Sequence, residues 1–173
     1  MNGFTARDWG LAAAAGSLFV DQASKLLMLY AFGFRDMSPG QAVPVLPFFN
    51  LVMVWNKGIS YGLFPAESRL GAAVLVVFSL LAVAGLGWWL WNAGRVWLAI
   101  GLGLVIGGAL GNLVDRMVYG KVADFFHFYA MGYDWYVFNL ADCAITFGVA
   151  ALVYDALFRP ETPDARKQAG ADE

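Results

Sequence analysis

Between residues 70 and 91 the chain reads LGAAVLVVFSLLAVAGLGWWLW, without one charged side chain. A helix rises about 1.5 Å per residue, so about 20 apolar residues cross a hydrocarbon core about 30 Å thick. This run is that long and ends in a tryptophan cluster. Three further stretches, approximately 9–30, 96–118 and 136–158, have the same length but are interrupted by polar residues. Trp9, Trp88, Trp89, Trp91, Trp97, Trp135 and Tyr136 fall near the ends of these stretches, where interfacial aromatic belts form. The expected fold is all-α and integral to a membrane: a four-transmembrane-helix bundle. Composition agrees, with 60% hydrophobic and only 14% charged residues in 173.

The polar residues inside these stretches set the functional question. Asp21, Asp115, Asp124 and Asp142 lie in or beside long apolar runs. A carboxylate in that setting is expensive and marks a functional site by default. The formal net charge of −2 and the lack of a basic patch exclude nucleic acid as a partner. The N-terminal run holds Asp21, Gln22 and Lys25, which a cleavable signal peptide would not tolerate, so it reads as a retained first span. The lone Cys143 cannot form an intramolecular disulfide.

Four spans put both termini on one side. Residues 92–95 form a tight turn between the second and third spans, and larger connections, 31–69 and 119–135, lie on the opposite side. Basic residues are evenly divided: Arg7, Arg95, Arg159, Arg166 and Lys167 on the terminal side against Arg35, Lys57, Arg69 and Lys121. Arg95 in so short a turn and three basic residues in the tail favour cytoplasmic termini under the positive-inside rule. Pro39, Gly40, Pro44 and Pro47 break helix in the first connection, and residues 48–55, FFNLVMVW, predict strand. A small extramembrane β-sheet is expected in that first external connection. Residues 1–159 form a single membrane-embedded domain, and 160–173 read as a disordered cytoplasmic tail.

This topology gathers polar groups at one face. Asn56 and Asp124 lie in the two large connections. Asn112, Asp115 and Arg116 share one side of the third span, Asn139 and Asp142 one side of the fourth, and Asp21 and Lys25 one side of the first. Asn112 and Asp142 are each expected about 9 Å from a span end, from the helical rise. Two close aspartates cannot both ionise easily and share a proton, so one serves as base on water and the other as acid. That chemistry needs no cofactor.

Rival arrangements are weaker. Ser24 and Lys25 are adjacent and do not face each other on a helix. His127, without a second His or Cys, makes a poor metal site, and no metal is expected. Gly107, Gly108 and Gly111 sit inside a span, where they serve close helix packing. Asp21 and Lys25 read as an intrahelical pair, and Asp115 and Arg116 as supports that orient the site. Asn56, Asn112 and Asn139 hold the substrate backbone or the carboxylates, or cap helix ends. A structural ion pair of Asp124 and Asp142 with Arg116 or Lys25 is the plain alternative to catalysis. At the level of whole functions, two rivals stand beside a peptidase. A proton-coupled transporter places its carboxylates near the midplane, and a metal-dependent lipid phosphotransferase would use Asp115, Asp124 and Asp142 as oxygen ligands.

Five blocks in order resemble the bacterial lipoprotein signal peptidase (signal peptidase II) family, over nearly the whole chain apart from the tail. They are DQASK at 21–25, NKGISYG at 56–62, GGALGNLVDR at 107–116, VADF at 122–125 and FNLAD at 138–142. Lys57 and Ile59 fall within the looser part of the pattern. The resemblance implies an aspartic endopeptidase of the bacterial inner membrane, with cytoplasmic termini and its site toward the outer leaflet. It implies Asp124 and Asp142 as the catalytic pair. Asn56, Gly58, Asn112, Asp115, Arg116, Asn139, Asp21 and Lys25 would bind substrate or support the site. The implied substrate is a diacylglyceryl prolipoprotein, cut just before its lipidated cysteine. Membrane lipid and globomycin-type inhibitors are implied partners, the first extramembrane segment is implied to cradle substrate, and a monomer is expected.

Overall fold

The structure is a computed structural model that describes residues 3–38, 40–58 and 69–158. Pro39, residues 59–62 of the second sequence block, Arg159 and the tail at 160–173 lie outside the described residues.

Helix α1 runs Ala6–Leu26 and is prolonged by a π-helical turn, Leu27–Ala31. Its start is fixed by a capping box in which Thr5 and Asp8 satisfy each other's backbone N–H. Helices α2 (Arg69–Trp91) and α3 (Val96–Tyr119) follow, joined by the expected short turn. Helix α4 runs Leu140–Leu157. Among the described residues, three helices are long and apolar enough to cross a membrane: Leu70–Trp91, Val96–Tyr119 and Leu140–Leu157. Helix α1 has similar length but carries Arg7, Asp8, Asp21 and Lys25, and it is not one of the three. On α2, Leu70, Val74, Val77, Phe78 and Leu81 stand exposed, as a lipid-facing helix requires.

Helix α3 is the hub. It packs against α1, α4 and α2, and 61% of its apolar window is buried, against 6% for α2. Small residues make this possible. An added Cβ at Gly103 would run into the backbone of Gly10, and one at Gly107 into Ala14 and Ser17, both on α1. On another side, a Cβ at Gly108 would come within 2.5 Å of the Ala141 carbonyl, and one at Gly101 within 3.0 Å of the Gly148 carbonyl, both on α4.

The fold is mostly helical with the expected small sheet, which is antiparallel and draws strands from both large connections. The strand order is β1 (Ala42–Leu46), β2 (Phe49–Asn56), β3 (Val122–Ala130), β4 (Tyr133–Asp134), all antiparallel. β2 matches the expected strand within one residue at either end. β3 and β4 come from the other large connection, so the sheet is shared between two connections. β3 gave no alternating signal because Val122, Ala123, Asp124 and Phe125 are all buried, with apolar or polar partners on both faces. Pro44 lies on the edge strand β1, where its missing N–H costs no internal ladder bond.

The fourth span begins later than its apolar pattern suggests. Phe138 bridges to Phe126 of β3, and Asn139 then caps α4 through a capping box with Asp142. Asp142 is therefore in the first helical turn, about 4–5 Å from the helix start rather than about 9 Å.

Replacing Gly103 by Ala should therefore lower stability by about 1–3 kcal/mol through overpacking. Gly85→Ala, where an added Cβ meets nothing within 4 Å, should stay within about 0.5 kcal/mol of the parent. Thermal unfolding in detergent distinguishes them, and equal effects would mean that the α1–α3 approach is not set at Gly103.

Candidate active site

Among the described residues, six that are polar or charged are buried in this apolar protein: Asp21, Lys25, Asn112, Asp115, Asp124 and Asn139. Each needs partners, since an unsatisfied buried polar group costs about 1–3 kcal/mol and a charge more. Their partners turn out to be one another. Lys25 on α1 makes ion pairs of 2.9 Å with Asp21, one turn away, and with Asp115 on α3. Its ammonium also donates to Asn112 Oδ1 at 3.0 Å. The intrahelical Asp21–Lys25 pair is thus present, extended into a triad across two helices.

The other carboxylates lie beyond this triad. Asp124 enters from β3 and Asp142 from α4, and Asn139 touches both. The Asn139 Nδ2 donates to Asp124 Oδ1 at 2.6 Å, and its backbone N–H donates to Asp142 Oδ2 at 3.2 Å. In return, Asn139 Oδ1 accepts the Asp142 N–H at 3.0 Å, which closes the helix cap. Asn112 Nδ2 donates to Asp142 Oδ1 at 3.0 Å, and Asn56 Nδ2 donates to Asp124 Oδ2 at 3.1 Å. Both functions weighed for Asn139, capping and holding a carboxylate, occur together.

Arg116 is half-buried and donates to the carbonyls of Gly58, at 3.0 Å, and Asn112, at 3.3 Å. Gly58 N donates in turn to Asn56 Oδ1 at 2.9 Å. The ten candidate site residues, Asp21, Lys25, Asn56, Gly58, Asn112, Asp115, Arg116, Asp124, Asn139 and Asp142, therefore belong to one connected set drawn from α1, β2 and the loop after it, α3, β3, the loop ahead of α4 and α4. Among the described residues neither Asp124 nor Asp142 makes an ion pair; the pairs are Lys25–Asp21, Lys25–Asp115, Arg95–Asp155 and His127–Asp134.

Two members had no role assigned from sequence. Gln22 donates to Asp21 Oδ2, Gly111 O and Asp115 Oδ1 at 3.1–3.2 Å. Its position beside Asp21 in an apolar run was the available signal. The hydroxyl of Tyr136, read only as an interfacial aromatic, accepts from Asn56 at 2.6 Å. A cavity of about 440 Å³ borders Asp142 and is lined also by Tyr136, Phe138, Cys143, Thr146 and Phe147.

Electrostatics separate Asp124 from an ordinary surface carboxylate. Burial, and then the charge of Asp142, push its carboxyl up to about 7, against the opposing hydrogen bonds from Asn56 and Asn139. Two close carboxyl groups, one of which holds a proton near neutrality, can pair a base with an acid. The competing arrangements are not assembled. Ser24 Oγ donates to the Asp21 carbonyl at 2.7 Å, while the Lys25 ammonium is directed at Asp21, Asp115 and Asn112. Asp115 faces Lys25, Gln22 and the Ala123 N–H, and no three acidic, His or Cys side chains among the described residues form a metal-holding group. His127 lies 3.3 Å from Asp134 and stacks on Tyr129.

Comparison with known proteins adds independent information. The family described as Signal peptidase (SPase) II matches residues 13–158. A lipoprotein signal peptidase from a Methylobacterium species is 48% identical over 90% of this chain and 93% of its own length. Its counterpart from Nitrobacter hamburgensis is 49% identical over 91% and 95%. Two solved structures of a bacterial membrane enzyme, obtained by the in meso method, share the fold with a TM-score of 0.73 at 24% identity. They cover 88% of this chain and 92% and 94% of their own.

The raised Asp124 carboxyl carries a stability signature. The folded protein keeps a proton that the unfolded chain releases near the ordinary value of 3.8. Between about pH 4 and 7 the native state binds more protons, so stability falls as pH rises through that window. The contribution is complete below the unfolded value and lost above about 7. Asp124→Asn cannot titrate, so its melting temperature should fall less steeply over this range than the parent's. Parallel slopes would remove Asp124 as the titrating group.

Proposed function

The chain belongs to the signal peptidase II family, and on that footing we propose that it removes signal peptides from diacylglyceryl-modified prolipoproteins, cutting just before the lipidated cysteine. It is an aspartic endopeptidase in this reading, with Asp124 and Asp142 as the catalytic pair. The observation that carries the assignment is the pair itself: two carboxyl groups from separate elements, held by the same Asn139. Each is supplied with further donors, from Asn56 and Asn112 respectively.

The chemistry follows from this arrangement. Near neutral pH the pair shares one proton, which Asp124, its carboxyl pushed up to about 7, holds in the reacting form while Asp142 serves as base. Asp142 takes a proton from water as the water oxygen bonds to the scissile carbonyl carbon, and Asp124 protonates the carbonyl oxygen. On collapse, the C–N bond breaks, the leaving nitrogen takes the proton from Asp142, and Asp124 regains its own from the hydroxyl. The pair ends as it began, and no cofactor takes part. Asn56, Asn112 and Asn139 keep the two carboxyl groups oriented. Arg116 and Gly58 form the side against which the peptide lies, and the cavity beside Asp142 receives apolar substrate.

The architecture takes its place around this chemistry. α1 joins the three apolar helices as a fourth span, with Asp21 and Lys25 turned inward to meet Asp115. The described residues form one membrane-embedded domain with both ends on the cytoplasmic side, and the site opens toward the outer leaflet of the inner membrane. The protein acts as a monomer in contact with membrane lipid, and globomycin-type inhibitors occupy the substrate site.

Asp124→Asn and Asp142→Asn keep shape but remove proton exchange. Each should lower cleavage of a lipidated precursor by at least about a hundredfold while the protein still inserts, and chelator should leave the parent's rate unchanged. Near-normal turnover in either variant would remove that residue from catalysis, and chelator sensitivity would favour the metal reading.

Lipidation should matter through depth. Asp142 sits in the first turn of α4, so the scissile bond has to be held at the membrane boundary. Acyl chains on the adjacent cysteine do this at about 0.8 kcal/mol per buried methylene. Initial rates in detergent should therefore drop severely for the same precursor without diacylglycerol, and equal rates would take lipid out of recognition.

A further inference from the structure

The Lys25 ammonium has three N–H groups and three acceptors: Asp21 Oδ2, Asp115 Oδ2 and Asn112 Oδ1. Each acceptor leads to the catalytic pair. Asp21 Oδ1 accepts the N–H of Ala141, the residue before Asp142, at 2.9 Å. Asp115 Oδ2 accepts the N–H of Ala123, the residue before Asp124, at 3.1 Å. The Asn112 oxygen, fixed by Lys25 and by Asn139 Nδ2 at 3.1 Å, leaves the Asn112 amide nitrogen facing Asp142. Asn139 in turn presents its own amide nitrogen to Asp124.

We propose that Lys25 is a positioning residue for the Asp124–Asp142 pair: one ammonium sets the backbone beneath both carboxylates and the polarity of the two amides that donate to them. The proposal rests on the catalytic assignment above and goes beyond it, since Lys25 touches neither catalytic carboxylate. An ammonium is the group that fits here. It supplies donors in three directions from one point, which a planar guanidinium cannot. Without it, the Asn112 oxygen keeps only the Asn139 amide as a donor, and the two backbone segments lose their common anchor. A displacement of about 1 Å at a reacting group can cost about a hundredfold in rate.

The test compares Lys25→Met and Lys25→Arg with Gly103→Ala, which loosens α1–α3 packing without touching this set. All are purified in detergent, and kcat, KM and the pH–rate profile on a lipidated precursor are measured per folded enzyme. The charged and titratable groups around Asp124 are Asp142, Asp115, Arg116, Tyr136, Lys25 and Asp21. Of these, only Lys25 is altered. Loss of its charge and of the donors it orients favours the protonated Asp124 carboxyl, so the alkaline limb of the profile should move to higher pH. Lys25→Met should lose at least about tenfold in kcat with KM within about twofold. Lys25→Arg keeps the charge, accumulates better, and should still lose kcat. Gly103→Ala should melt lower with normal kcat and an unmoved limb. Lysine variants with the parent's kcat and pH limb would overturn the proposal, as would a kcat loss no larger than that of Gly103→Ala. Failure of both lysine variants to accumulate would assign Lys25 to folding and overturn it too. A parent enzyme inert toward the lipidated precursor, or active Asp124→Asn and Asp142→Asn variants, would instead take down the catalytic assignment.

Discussion

A lysine ammonium that is 2% exposed, inside a protein that is 60% hydrophobic, is the constraint on which the remainder depends. Burying an ion costs several kcal/mol even after relaxation, and removing one partner of a buried pair costs about 3–5 kcal/mol. Lys25 is tolerable only because α1 and α3 bring it three acceptors, two of which are held in turn by the N–H groups of Ala123 and Ala141. A hydrophobic replacement of the whole triad could well be as stable. What it would lose is direction. Apolar packing alone would leave the relative placement of helices, strand and capped turn to shape, whereas this set admits a single arrangement.

The glycines of α3 serve the same end. At Gly111 an added Cβ would meet the Asp21 carboxylate, so the absence of a side chain makes room for the charge that holds Lys25. Gly103 and Gly107 bring the α1 and α3 backbones together further along, and Gly108 brings in α4 next to Ala141. Close packing in the apolar half and charge pairing in the polar half are thus one design. The first holds α1 and α3 together in their apolar halves, and the second holds them in their polar halves.

Much of this was visible in the chain itself. The uncharged run at 70–91, the strand at 48–55 and the convergence of Asn56, Asn112, Asn139 and the four aspartates needed only length, periodicity and topology. β3 was missed as a strand because its first four residues are all buried, which erases the alternation by which strands announce themselves. The start of α4 was placed too early because Tyr136, Val137 and Phe138 are as apolar as a span. Only the Asn139–Asp142 cap, a matter of side-chain geometry, ends the extended segment there. The inward role of Lys25 was half legible. Spacing gave its pairing with Asp21, but nothing in one sequence could reveal that Asp115, ninety positions on, shares the same ammonium.

The late start of α4 also changes what the site can do. In the first helical turn, Asp142 accepts a backbone N–H at an end whose aligned dipoles favour negative charge. Asp124, on a buried strand, has no helix end to support its charge, and its carboxyl is pushed up to about 7. Two chemically identical acids are therefore carried by unlike elements, one on a helix end and one on a buried strand. In the proposed reaction the pair needs one proton between the two groups, which their proximity enforces because both cannot easily ionise. The boundary position adds a further condition. Water has to reach one member while apolar substrate reaches the other side, and a helix end next to a sheet edge is a place in a bilayer protein where both can arrive.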